Sequence, residues 1–311
     1  MANSDTFVPP SVLEKTSYTS HCYFSEIPSE IKENPHLPCI LGVDEAGRGP
    51  VIGPMVYAVA YCREDYQEPL AQHGFDDSKV LSHEVRSNLL KRMCTDTASS
   101  QNLGWAVHSL SAQDISSGML RPKASAYNLN SQAHDTTIGL IQQVLDRGVK
   151  LSHVYVDTVG PPVSYQAKLT RRFPGVTFTV AKKADSLYPI VSAASICAKV
   201  TRDAIITLHD ESNGRWGSGY PSDGKTSGWL RESVHPLFGW GGQIRYSWQT
   251  VNDVLKKTNG IEVEWADDFD SKGSYNVSQY FNNKAAGGAS DDKRAVLPVT
   301  TAWFGSSSSD W

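Results

Sequence analysis

The apolar run Ile40-Leu41-Gly42-Val43 ends in two consecutive carboxylates, Asp44 and Glu45, and then in the turn Ala46-Gly47-Arg48-Gly49-Pro50. Four apolar residues bounded by glycine and polar residues predict a short buried strand. Two adjacent acids at the end of such a strand repel each other and lose hydration, so a bound cation is their natural compensation. The glycines leave a tight backbone without side chains beside these acids, which suits close passage of a ligand's own backbone.

The rest of the chain supplies a frame for that strand. Met55 to Tyr61 and Leu103 to Val107 read as two further strands. His134 to Arg147 carries Ile138, Ile141, Val144 and Leu145 at helical spacing and stops at Gly148. Val154 to Val156 then reads as a strand running into Asp157, followed by a helix at 164–173 and a strand at 176–180. A longer helix follows Pro189, with Val191, Ala194, Ala198, Thr201, Ile205 and Leu208 on one face. This order predicts an α/β fold: a mixed sheet with a three-stranded antiparallel meander plus parallel strands, flanking helices and a helical C-terminal part. A parallel pairing of the first and fourth strands, through a right-handed crossover, brings Asp44 and Asp157 out at one sheet edge. Asp185, before the long helix, is the third candidate acid, and an N-cap or turn role is its alternative. An all-oxygen set of Asp44, Glu45, Asp157 and Asp185 points to Mg2+ or Mn2+.

Residues 1–38 are polar and proline-rich and read as an extended lead-in, 39–258 as the folded domain, and 259–311 as an acidic low-complexity tail with apolar islands suited to docking a partner. Arg63 to Gly74 reads as a surface loop, and 214–228 and 239–242 as glycine-rich loops. The loop 214–228 mixes Arg215, Trp216, Tyr220 and Lys225, which fits either a nucleic-acid contact or packing by its aromatic residues.

The global charge misleads. The chain carries 29 basic and 33 acidic residues, a net charge of -4, but the tail from 261 holds four basic and eight acidic side chains and so accounts for all of it. Within the neutral remainder, Lys168 to Arg202 has seven basic residues against the single acid Asp185. This run is either a solvated face or a track for a phosphate backbone. The longest apolar run, Met55 to Cys62, is far short of the roughly 18 residues a membrane span needs, so no membrane role is expected. Five widely spaced cysteines suggest neither a disulfide frame nor a zinc knuckle, and a reducing compartment follows. Gly47-x-Gly49 after a strand invites a dinucleotide-binding reading, but Pro50 and Pro54 lead into another strand rather than a helix, which excludes it.

Six segments in order, GVDEAGRGPVIGPM at 42–55, DDSKVL at 76–81, YNLN at 127–130, VDTVGPP at 156–162, KKADSLYPIVSAASICAKVTRD at 182–203 and GSGYPSD at 217–223, give the chain a strong resemblance. Over roughly 39–258 it resembles the type 2 ribonuclease H family, on the side of the eukaryotic catalytic subunits. The resemblance implies a ribonuclease-H-like fold in which the first and fourth strands are neighbours. It assigns Asp44, Glu45, Asp157 and Asp185 as catalytic metal ligands for two Mg2+ or Mn2+ ions about 4 Å apart. It gives Gly47, Arg48 and Gly49 the sensing of a ribose 2′-hydroxyl, Tyr220 a contact to that hydroxyl and the next sugar, and Lys79, Asn128 and Lys199 contacts to the nucleic-acid backbone. The implied substrates are RNA-DNA hybrids and duplex DNA with single embedded ribonucleotides, cut on the 5′ side of the ribonucleotide to leave 5′-phosphate and 3′-hydroxyl ends. Two accessory subunits in a heterotrimer, a role in replication and repair, and residence in the nucleus, with the cytoplasm as alternative, are implied as well. Two other classes remain open at this point: another ribonuclease-H-like nuclease, distinguished by strong cutting of all-DNA duplex, and a non-catalytic duplex-binding module indifferent to magnesium.

Overall fold

The computed structural model describes residues 7–12, 18–75, 81–121, 125–158, 160–210 and 212–258, all within one compact unit. The acidic tail and Lys79 lie outside the described residues. Among the described residues the strands are β1 (His21–Phe24), β2 (Cys39–Ala46), β3 (Met55–Arg63), β4 (Gly104–Leu110), β5 (Leu151–Asp157) and β6 (Thr177–Ala181), in the order β1-β4-β3-β2-β5-β6. The helices are α1 (Ser29–Glu33), α2 (Gln67–Gln72), α3 (His83–Thr95), α4 (Thr97–Asn102), α5 (Ala112–Met119), α6 (Leu129–Asp146), α7 (Pro162–Arg172), α8 (Pro189–Leu208), α9 (Gly224–Ser233) and α10 (Gln249–Lys257).

Strands β2, β3 and β4 form the expected antiparallel meander, while β5 and β6 run parallel to β2 on its other side. Val43 lies opposite Val156, so Asp44 and Asp157 are the next residues on two neighbouring strands. The strand pleat sends alternate side chains to opposite faces. Ile40 and Ala46 join the core under α8, while Leu41 and Val43 join the core under α6 and α7. Asp44 therefore shares the α8 face and Glu45 the opposite one. Gly42 lets α8 rest directly on β2: a Cβ there would stand 2.6 Å from the Val191 nitrogen and as close to the Ile190 carbonyl. A third cluster packs Val51 and Ile52, just beyond the glycine turn, against Trp216, Leu230, Trp240 and Val251 of the C-terminal helical part.

Several elements depart from the sequence reading. The lead-in contributes β1, paired antiparallel with β4, and buries Ile31 from α1. Segment 63–74 is not a plain loop: a short 3-10 turn leads into α2, which is anchored by one fully buried residue, Leu70. Helix α6 starts at Leu129, five residues before the expected start at His134, because Asn128 caps it by accepting from the Ser131 amide at 3.0 Å and buried Gln132 donates to the Ile115 and Tyr127 carbonyls. The loop at 214–228 gives way to α9 at Gly224, whose cap Asp223 accepts from the Lys225 amide at 2.9 Å.

Candidate functional site: an acid cluster beside a clamped glycine turn

Strands β2 and β5 deliver Asp44 and Asp157 side by side. Asp44 is 4% exposed, and its Oδ1 accepts from the Glu45 amide at 2.8 Å. Ser195 on α8 also hydrogen-bonds its carboxyl, and Lys199, one turn further on, donates to Ser195 Oγ at 3.0 Å. Asp157 Oδ1 accepts from the Ala184 amide at 2.8 Å, which ties the end of β5 to the 3-10 turn Ala184–Ser186. That turn follows Lys183 in the left-handed region (φ 58°) and carries Asp185, 3% exposed, just before α8. Three segments distant in sequence thus converge, and all four predicted acids come together.

Their fields overlap. Burial, reinforced by Asp44, Asp157 and Asp185 and opposed by Arg48, pushes the Glu45 carboxyl up to about 8. Burial also pushes Asp44 up to about 7; the Ser195 hydrogen bond and Lys199 oppose the rise and Asp157 adds to it. Asp44 and Glu45 therefore hold their protons more tightly than free carboxyls do, and a bound cation would oppose that rise. The donors are all oxygens, the choice of a hard divalent ion. Among the described residues no three His, Cys, Asp or Glu side chains are arranged so that they hold a metal ion as they stand.

The glycine turn is clamped from beneath. Arg245, 0% exposed, donates to the carbonyl oxygens of Gly47 (2.6 Å), Arg48 (3.0 Å) and Gly53 (2.9 Å). Trp248 Nε1 donates to the Gly49 carbonyl at 3.0 Å. In a trans peptide the C=O and the following N–H point opposite ways. With the carbonyls of 47 and 48 turned inward, the amides of Arg48 and Gly49 face away from Arg245. Arg202 braces the next stretch by donating to the Pro54 and Ile52 carbonyls, both at 3.2 Å. Gly47 (φ 79°) has no alternative, since a Cβ would lie against the Arg202 guanidinium and 2.8 Å from the Pro54 oxygen.

Tyr220 is 45% exposed, and a Cβ on Gly49 would stand 3.3 Å from its ring, so ring and turn share one groove. The Val51 amide donates to the Gly219 carbonyl at 2.8 Å and fixes that pairing. Glu45, the glycine turn, Lys199 and Tyr220 all line this groove. A second concavity on the other side of Glu45 and Arg48 is lined by Asn130, His134, Asp157 and Tyr165.

Asn128 is exposed, and its Oδ1 caps α6 by accepting from the Ser131 amide, while Asn130 hydrogen-bonds the Arg48 guanidinium. The basic run Lys168 to Arg202 is no single track, because Arg202 is buried and spent on carbonyls and Lys168 stands 3.9 Å from Asp135. Of the mixed aromatic loop, Trp216 is core and Tyr220 is surface. Sequence reasoning missed Arg245, Trp248 and Ser195; the neighbouring YSWQTV segment was the available signal for the first two.

Comparisons with known proteins agree with this arrangement. The family model described as Ribonuclease HII matches residues 41–251. A ribonuclease H2 subunit of Neurospora crassa is 47% identical over 305 residues, 96% of this chain and 93% of that protein. The Homo sapiens protein of the same name is 45% identical over 287 residues, 89% of this chain and 92% of that protein. The crystal structure of ribonuclease H2 from Pyrococcus horikoshii OT3 superposes with a TM-score of 0.61 at 31% identity, covering 71% of this chain and 99% of that one. With its mixed sheet, its acid cluster and a family match across most of its length, the chain belongs to the ribonuclease HII family and is a ribonuclease H enzyme.

Proposed function

We propose that this enzyme, beyond the ribonuclease H activity on RNA-DNA hybrids that its family carries, cuts duplex DNA on the 5′ side of single embedded ribonucleotides. The observation that supports this is the shared groove: Glu45 of the acid cluster, the glycine turn with its Arg48 and Gly49 amides facing away from Arg245, and the Tyr220 ring lie along one surface. A 2′-hydroxyl can accept from such amides and donate to an acceptor beside them, and a deoxyribose can do neither. Tyr220 supplies a flat apolar face for the neighbouring sugar. Discrimination thus resides in backbone that Arg245 and Trp248 hold in place before any substrate arrives, so that little ordering is left for binding.

Asp44, Glu45, Asp157 and Asp185 are the residues that would hold two divalent ions, Mg2+ or Mn2+. Bound there, such ions supply an activated water and charge stabilisation at the leaving 3′-oxygen, giving 5′-phosphate and 3′-hydroxyl ends. The protein's own part is to fix the carboxylates: Ser195 and the Glu45 amide orient Asp44, and the Ala184 amide orients Asp157. Lys199 places positive charge beside Asp44, where a phosphate approaches. Relatives that are themselves named as subunits support work within a multi-subunit complex. We extend that to a heterotrimer with two accessory subunits, to ribonucleotide removal in replication and repair, and to the nucleus.

The test is magnesium-dependent cleavage of a labelled duplex with one ribonucleotide, beside hybrid and all-DNA controls. Cutting 5′ of the ribonucleotide that disappears in Asp44→Asn is the expected result. Cutting of the all-DNA duplex at a comparable rate, or of the hybrid alone, refutes the single-ribonucleotide reading.

A further inference from the structure

Arg86 enters the same groove from a direction that neither the acid cluster nor the turn accounts for. It belongs to the first turns of α3, which Ser82 caps by accepting from the Val85 amide at 3.3 Å, and α3 packs on α8. Its Nη1 donates to the Leu81 carbonyl at 2.9 Å, and its Nη2 stands 3.8 Å from Asp203 on α8. The side chain is 18% exposed, and together with Gly49, Lys199, Ser218 and Tyr220 it lines the groove. The other cations there have different tasks: Arg48 meets Asn130, Arg202 holds carbonyls, and Lys199 sits beside Asp44. The Asp203 pair, partly exposed and at 3.8 Å, contributes little stability by itself. Asp203 also faces Arg202 at 4.0 Å and His83 at 3.9 Å, so its charge is divided.

We infer that Arg86 is a phosphate-binding residue of this groove, held by the Leu81 carbonyl and Asp203 so that its guanidinium takes one backbone phosphate of the strand flanking the ribonucleotide. The inference rests on the proposed nucleic-acid reading of the groove and adds a substrate contact to it. Phosphate contacts position the strand and carry no information on base or sugar. Removing this one therefore weakens hybrid, single-ribonucleotide duplex and plain duplex alike.

The experiment uses the full-length chain, with accessory subunits co-expressed where activity requires them. It measures KM and kcat on the hybrid and on the single-ribonucleotide duplex, and binding to all three duplexes across a salt series. Arg86→Gln and Arg86→Met remove the charge, and the Met variant keeps the packed aliphatic stem and serves if the Gln variant loses its fold. Arg86→Lys keeps the charge. In the charge-removing variants KM and dissociation constants rise about tenfold at moderate salt, kcat changes less than about twofold, and the slope of log K against log salt falls by about 0.9. The Lys variant keeps the wild-type slope. An unchanged slope in a folded charge-removing variant overturns the inference, as does a loss confined to ribonucleotide-containing substrates. A wild-type protein that leaves both hybrid and single-ribonucleotide duplex uncut refutes the underlying reading instead, so the two failures are distinguishable.

Discussion

Replacing Arg245 by lysine tests whether the glycine turn is held by a planar fork or only by positive charge. Arg245 reaches three carbonyl oxygens with three different nitrogens, at 2.6, 2.9 and 3.0 Å. An ammonium group is a single point and does not span the Gly47, Arg48 and Gly53 oxygens at once. At least one, and in most geometries two, of the bonds are lost. A hydrogen bond to a charged group is worth about 1.5–3 kcal/mol, and partial repacking returns some of it, so the net cost is about 2–4 kcal/mol. Burial, and after it the charge of Arg202, already pulls the arginine's own pKa well down. A lysine starts lower, near 10.4, and loses its proton far more easily in this place. For a domain of this size the melting temperature falls by about 4–16 °C. The Arg48 and Gly49 amides lose their fixed direction as well, and displacement of about 1 Å costs on the order of 100-fold in rate. Thermal unfolding followed by circular dichroism, and kcat/KM on the single-ribonucleotide duplex, measure the two effects. An Arg245→Lys protein that melts within about 2 °C of wild type and keeps its kcat/KM refutes the clamp.

Two further perturbations bear on the acids and on their support. The carboxyls of Asp44 and Glu45 titrate in the folded protein near 7 and 8, above their unfolded values near 4, so the native state retains protons the unfolded chain has released. Stability of the metal-free protein therefore falls as pH rises from about 4 to 8; Asp44→Asn flattens that decline and added magnesium opposes it. Denaturant midpoints in chelator from about pH 5 to 8.5 check this, and parallel curves for wild type and Asp44→Asn sink it. Gly42→Ala drives a methyl group into the backbone of α8 at Ile190 and Val191, costs about 1–3 kcal/mol or more, and moves Ser195 away from Asp44. Activity should fall further than the lost stability accounts for, as a comparison of kcat at a temperature well below both unfolding midpoints would reveal.

How far the sequence could be read depended on where each residue's meaning resides. Ile40 to Glu45 was legible because the apolar run and the acids that end it are contiguous, and because a parallel crossover leaves few places for Asp157. Strand β1 was not, since its four residues, three half-buried and one exposed, acquire a role only from the β4 edge they pair with. Helix α2 hangs on Leu70 alone, too little for a period to show. Arg245 is the sharpest case: among Gln243, Ile244 and Tyr246 it looks like any surface cation, yet its partners lie 192 to 198 residues earlier. The basic run failed for the converse reason, because counting charges in sequence does not reveal that Arg202 points inward.

The convergence of Asp44, Asp157 and Asp185 also governs when the site comes into being. These acids arrive on three separate segments, and β2 takes an antiparallel neighbour on one side and a parallel one on the other. Joining β2 to β5 closes a chain loop of roughly a hundred residues, whose entropy is spent before any of the contacts it permits are gained. The meander of β2, β3 and β4 is more local than that crossover pairing, so the full set of carboxylates comes together only once the long loop is closed. A peptide carrying Asp44 to Gly49 alone would inherit none of this grip. A ligand that engages all three segments recognises only the finished fold, and it stabilises the native state increasingly as its concentration exceeds its dissociation constant.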